Sequence, residues 1–244
     1  LSLHDALPIC DSGIEVTLAS SRPPQGMAVF LRALDIVGGH AFVAFQGAFV
    51  GAIDVTGDVN VLHTVELDPQ TACSIAATAR ARGLATNWYT ADSWFTDKAT
   101  DDVVREAAIV EMNPVVINKL DAAPPPLKLL FIGDYETALA PLVANLPSNV
   151  EAEMSNPSYL EITARGVDKA VGVSRITDAH GWEMSEVVAI GDGRNDLALF
   201  RRAGTAVAPA NAQDTVLAQA DYIAASNDDD GVAQTLRWLA SLPE

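Results

Sequence analysis

Short apolar runs alternating with stretches of helical periodicity constrain this chain more than any other feature. IEVTLAS (14–20) is followed by MAVFLRALDIVG (27–38), VVAIGD (187–192) by DLALFRRAG (196–204), and TAVA (205–208) by AQDTVLAQA (212–220). Apolar runs this short suit strands buried on both faces, and strands separated by helices predict a parallel sheet covered on both sides, an α/β fold. With 244 residues, 49% of them hydrophobic and 19% charged, the chain can bury one large core or two modest ones.

The middle of the chain has a different texture. VTGD (55–58) reads as a hairpin turn. After it, a helix is expected from Pro69 to Arg82, ended by Gly83. The strand-like LATNWYTA, a helix around Asp101–Glu111, the strand-like VVIN, the break APPP, the strand KLLFI, a helix from Glu136 to Leu146 and the strands VEAEMS and YLEITA follow. This pattern predicts a second α/β unit over residues 64–163, inserted into a discontinuous core of residues 1–63 and 164–244. The apolar stretch Ile36–Ile53 carries His40, Gln46 and four glycines between Asp35 and Asp54, so it reads as strand, turn and strand and not as a membrane helix.

Charge narrows the partners. Fifteen basic against 32 acidic residues give a net charge of -17, which repels nucleic acid and anionic membrane surfaces. An anionic substrate would have to be captured by a metal or a few placed cations. Two cysteines, Cys10 and Cys73, form neither a disulfide framework nor a metal cluster, and a reducing, cytoplasmic location is expected.

Three motifs carry chemistry. In VVAIGDGRND (187–196) an apolar strand ends in Gly-Asp-Gly, which puts Asp192 at the carboxyl edge of a sheet, where open α/β sheets bind ligands. Asn195 and Asp196 then open a helix, and two carboxylates with an amide on one loop suit a hard divalent ion and a phosphate oxygen. Turn formation alone would also explain Asp, Asn and Gly here. In VTLASSRP, Ser20, Ser21 and Arg22 bring hydroxyls, N–H groups and a guanidinium to another strand end, although a lone serine is more often a helix cap. Lys169 opens a helix after a returning strand. KLLFIGDYET (128–137) also ends a strand in Gly-Asp but lacks the Asn-Asp pair, so Asp134 is assigned to structure.

The order of these motifs, with FQGAFV and the tail AVAPANAQDTVLAQADYIAASNDDDGVA, resembles the haloacid-dehalogenase-like phosphohydrolases of the Cof-type subgroup, over about residues 12–240. The resemblance implies a Rossmann-like parallel core with an inserted α/β cap and magnesium-dependent hydrolysis of a small phosphorylated metabolite, similar to a sugar phosphate. It implies that Ser20 and Lys169 are catalytic and that Ser20, Ser21, Lys169 and Asn195 bind phosphate. Asp192 would ligate magnesium (Mg2+) and Asp196 would support the metal shell. Ser21 stands where the family favours Gly, Gln46 where it favours Asn, and Pro209-Ala210 where a glycine is usual.

One family element is not found. The opening strand should end in Asp-x-Asp-Gly-Thr, its first Asp attacking phosphorus to form an aspartyl-phosphate and its second serving as general acid and base. No Asp-x-Asp precedes Ser20. Asp5 is separated from the strand at Ile14 by only eight residues, fewer than the crossover of about a dozen that neighbouring parallel strands need. LHDALPI is the translation of CTA CAC GAC GCT CTT CCG ATC, which resembles a sequencing adapter, so residues 1–9 are read as adapter-derived. The nucleophile strand is then expected to be missing and the chain as written to be inactive. A phosphomutase and a non-catalytic phosphometabolite-binding or regulatory protein are the rival functions.

Overall fold

The computed structural model describes residues 13–34, 36 and 38–242; Asp5, Cys10 and Asp11 lie outside the described residues. Two prolines open α1 (Pro24–Ala33), since a first helical turn has no use for the N–H groups they lack. Its buried face carries Met27, Ala28 and Leu31. The expected strand, turn and strand follow as β1 (His40–Ala44), a tight turn at Phe45–Gly47, and β2 (Phe49–Ile53), antiparallel to β1. Asp54 closes the next turn by accepting the N–H groups of Thr56 and Asp58 (2.8 and 3.0 Å), and β3 (Val59–Thr64) returns along β2.

The expected strand over IEVTLAS is extended but bonded on one side. Val43 N–H donates to the Leu18 carbonyl (2.8 Å) and Ser20 N–H to the Val43 carbonyl (3.0 Å). These bonds leave a single parallel bridge, Ala19 with Val43.

Residues 69–164 build the second layer. α2 (Pro69–Arg80) is capped by the Asp68 carboxylate, which accepts Thr71 N–H at 2.8 Å. β4 (Asn87–Tyr89), β5 (Trp94–Thr96), α3 (Asp101–Val110), β6 (Val115–Val116), β7 (Lys128–Ile132), α4 (Ala140–Val143), β8 (Val150–Asn156) and β9 (Tyr159–Ala164) follow. The six strands form one sheet in the order β6-β5-β4-β7-β9-β8. The helix expected over 136–146 forms with a widened, π-helical first part, Tyr135–Leu139, that runs directly into the short α4. Pro141 is the cause: its ring crowds the carbonyl four residues back and it brings no N–H to continue the ladder.

The chain returns through α5 (Lys169–His180), β10 (Val188–Ile190), α6 (Leu197–Phe200), β11 (Thr205–Pro209), α7 (Asp214–Leu217), β12 (Tyr222–Ala224) and α8 (Gly231–Ala240). β10, β11 and β12 run parallel in that order. Val43 and Val50 of the first, antiparallel sheet share a buried cluster with Ala170, Val173 and Ile176 of α5 and with Ala189, Ala206 and Phe200, so α5 packs that sheet together with the parallel β10–β12 sheet. A side chain at Gly47 would collide with the Asp168 carbonyl, and one at Gly172 with Val43. These glycines let the Phe45–Gly47 turn touch the first turn of α5.

No ladder joins segment 14–20 to β10 among the described residues, and β10 is an edge of its sheet. A second cluster, Phe42, Phe45 and Phe49 with Tyr89, Trp94 and Leu130, fastens the six-stranded sheet to the core. Tyr89 stacks on Trp94 at 5.1 Å and meets Phe45 at 5.5 Å.

Candidate active site

Asp168 caps α5, its carboxylate accepting Val171 N–H at 2.8 Å, and this fixes Lys169 in the first helical position. A cation there opposes the helix dipole, and Lys169 is only 6% exposed. What holds it is Asp196, whose Oδ1 lies 2.6 Å from Lys169 Nζ. The other oxygen, Oδ2, accepts the N–H groups of Asp192 (3.1 Å) and Gly193 (3.0 Å). Asp196 thus folds the GDGRND loop over itself, with Gly191 lying against its carboxylate where any side chain would collide.

From this pair a chain of contacts runs to Ser20. Asn195 Nδ2 donates to Gln46 Oε1 (3.3 Å), and Gln46 N–H donates to the Ser20 carbonyl (3.1 Å). Gln46 holds a left-handed backbone (φ 60°), costly for a residue with a side chain and maintained by the turn against α5. Ser20 Oγ accepts Arg22 N–H (3.2 Å), and the Ser21 carbonyl accepts Lys128 Nζ (2.8 Å) from β7.

A cavity of about 260 Å³ opens beside these groups. Gln46, Lys169 and Asn195 line its core side, and Arg194, Glu153 and Glu161 are also in its walls. The geometry therefore brings together Lys169, Asp196, Asn195 and the backbones of Asp192 and Ser20. The side chains of Ser20, Ser21 and Asp192 are not in the cavity lining. Burial pushes the Glu153 carboxyl above its ordinary range, opposed by the nearby Arg194 and Lys169 charges.

Of the two acidic residues expected at a metal, only Asp192 has a carboxylate left unengaged. The Asp192 carboxylate is exposed and makes no bond among the described residues, as a hard cation that keeps several waters would require. Both Asp196 oxygens are already engaged, so this residue can orient the loop without ligating. No group of three or more His, Cys, Asp or Glu side chains that could hold a metal occurs among the described residues. Asp134, at the other Gly-Asp strand end, caps the turn after β7 by accepting Thr137 N–H and Oγ1–H (2.9 and 2.6 Å). The Thr137 hydroxyl is the main reason its carboxyl is held below the ordinary value.

Sequence reasoning did not single out Lys128 and Glu161, buried to 3% and 4% exposure. Their signal was present: a Lys opening the apolar KLLFI and a Glu inside YLEIT are charges set in strands that are otherwise buried.

Comparison with known proteins agrees with the geometry. The family model for haloacid dehalogenase-like hydrolases matches residues 6–236. The 5-amino-6-(5-phospho-D-ribitylamino)uracil phosphatase YcsE of Bacillus subtilis is 41% identical over 101 residues, which cover 40% of this chain and 41% of that protein. YxeH of the same organism is 26% identical over 248 residues, covering 97% of this chain and 90% of YxeH. The crystal structure of a haloacid dehalogenase-like hydrolase from Bacteroides thetaiotaomicron superposes with a TM-score of 0.84 at 29% identity, over 98% of this chain and 92% of that one. From its ordered motifs to its α/β architecture, this chain belongs to the haloacid dehalogenase-like hydrolases.

Proposed function

We propose that the site is that of a phosphatase for a small phosphorylated metabolite, with residues 64–163 as the cap over it. The observation that carries the reading is the buried Lys169–Asp196 pair, tied through the loop N–H groups and Asn195–Gln46 to the Ser20 backbone, beside a cavity lined by Gln46, Lys169 and Asn195. Lys169 neutralises charge on the transferring phosphoryl group, and Ser20, the Ser21 backbone and Asn195 hold its oxygens. Asp192, in a loop braced by Asp196, would hold magnesium, which would supply further charge neutralisation at that group. The cap excludes water and contacts the leaving group. YcsE, a phosphatase of a phosphorylated ribityl compound by name, supports the substrate class. Cysteine usage supports a cytoplasmic location.

The family's attacking carboxylate and its acid–base partner are not found before Ser20, and the edges of segment 14–20 and β10 meet no common strand among the described residues. This observation favours a second reading, phosphate binding without turnover, for the 244-residue chain taken by itself. The test is phosphate release from a panel of phosphomonoesters with magnesium, by this chain and by one in which a strand and helix bearing Asp-x-Asp replace residues 1–9. The expected result is background release from the first and turnover by the second. Strong magnesium-dependent release by the first would overturn the inactive reading, and none by the second would overturn the phosphatase.

A further inference from the structure

The wall of the cavity facing Lys169 is built from two neighbouring strands, and its composition is not what folding alone would select. β8 and β9 pair antiparallel with Glu153 directly opposite Glu161 and Glu151 opposite Thr163, and all four residues line the cavity. Like charges directly opposed on one face of a sheet repel. Glu161 is 4% exposed, yet its Oε2 has no hydrogen-bond partner among the described residues. Lys128 Nζ lies 3.6 Å away, close enough for charge balance and too far for a hydrogen bond, and it donates to the Ser21 carbonyl at 2.8 Å.

The opposite side of the cavity has the complementary imbalance. Gln46 Nε2 is buried without an acceptor, beside Lys169 and Asn195. Buried polar atoms in folded proteins are almost always matched, so an unmatched donor at one end and an unmatched acceptor at the other describe the ligand that would match them. That ligand carries oxygen acceptors where Gln46, Lys169 and Asn195 converge and hydrogen-bond donors at Glu153 and Glu161. At about 260 Å³ the space lies just under the usual range of about 300–1,000 Å³ for ligand pockets, which limits the leaving group to a few carbons.

We infer that Glu161, with Glu153 opposite it, reads the leaving group by accepting hydrogen bonds from its hydroxyls, so that the substrate is a small polyol phosphate and not a phosphorylated carboxylic acid. This rests on the phosphate-site reading above. A carboxylate on the leaving group would be set against two glutamates and rejected by like charge, while a hydroxyl supplies the donor that Glu161 lacks. Lys128 acts as a positioning residue: one ammonium contacts both the Ser21 carbonyl and Glu161, linking the phosphate loop to the leaving-group wall.

Binding to the full 244-residue chain tests this without requiring turnover. Glycerol 3-phosphate, phosphoglycolate and inorganic phosphate would be titrated calorimetrically in the presence of magnesium. Glycerol 3-phosphate is expected to bind at least about tenfold more tightly than phosphoglycolate, and Glu161→Gln and Glu153→Gln are each expected to shrink that ratio several-fold. Glu153→Gln breaks no ion pair among the described residues, so it serves if Glu161→Gln, which strips Lys128 of its counter-charge, does not fold. Equal or tighter binding of phosphoglycolate overturns the inference, as does a ratio that neither substitution changes. Lys169→Ala separates the two levels: loss of inorganic phosphate binding with an unchanged ratio in the glutamate variants sinks the substrate class alone. Retention of inorganic phosphate by Lys169→Ala, or binding of none of the three probes by the unaltered chain, sinks the phosphate site itself.

Discussion

Two strands of this molecule end in Gly-Asp, and the chain uses the two aspartates in opposite ways. After β7, Asp134 turns back on its own backbone, capping the following turn through Thr137 three residues on. After β10, the third residue on from Asp192 is Asn195, whose amide reaches to Gln46, and the fourth is Asp196, whose carboxylate satisfies the N–H groups of Asp192 and Gly193. The capping duty passes to Asp196, and the Asp192 carboxylate stays free. A strand-end aspartate is therefore available for chemistry when a later residue takes over its structural work.

The sharpest way to break this comparison is turnover in the chain supplied with an Asp-x-Asp strand and helix. There, Asp192→Asn should lower kcat/KM by about 100-fold or more, since it weakens metal binding where charge develops. Asp134→Asn should leave kcat/KM within about twofold, because the asparagine carbonyl can still cap. Equal losses would show that the two loops are not functionally different.

The next effect in size separates loop stability from loop chemistry. Lys169→Met leaves Asp196 buried without its counter-charge, and breaking a buried pair costs about 3–5 kcal/mol. Urea unfolding should show that loss in the midpoint with little change in slope. Asp192→Ala, on the same loop, removes an exposed carboxylate with no partner among the described residues and should leave the midpoint nearly unchanged. A large loss in Asp192→Ala would mean that its carboxylate does structural work after all.

What was legible in the sequence follows from how local the signals are. The runs FVAF, VVAI and TAVA became β1, β10 and β11, because a buried strand is recorded in consecutive apolar residues. Lys169 at a helix start was legible from Asp168 before it and the returning strand before that. The helix over 136–146 was legible in its extent, whereas the widening of its first turn ahead of Pro141 was not. Gln46 stood out only as a departure from a motif, and its left-handed turn depends on Gly47 meeting Asp168 far along the chain. Lys128 and Ser21 are separated by 107 positions, and such a contact is written in the topology and not in any window of sequence.

The smallest expected effect sharpens the comparison from the Asp134 side. Its carboxyl is held below the ordinary value, first by the Thr137 hydroxyl and then by the Thr137 N–H. A carboxylate whose folded pKa is depressed stabilises the fold above the pKa it has in the unfolded chain, about 3.9 for an ordinary aspartate, and that contribution fades as pH falls through the lower folded value. Asp134→Ala removes both hydrogen bonds, so it should lower the unfolding midpoint slightly and by the same amount anywhere between about pH 5 and pH 7. Below about pH 4 the curves of the unaltered chain and the variant should converge, because Asp134 then takes up a proton on unfolding and acid favours the unfolded chain. Urea midpoints at closely spaced pH values would measure this. A difference that stayed constant into acid would show that the turn is held by the neutral cap alone, and a difference that grew would reverse the sign of the argument.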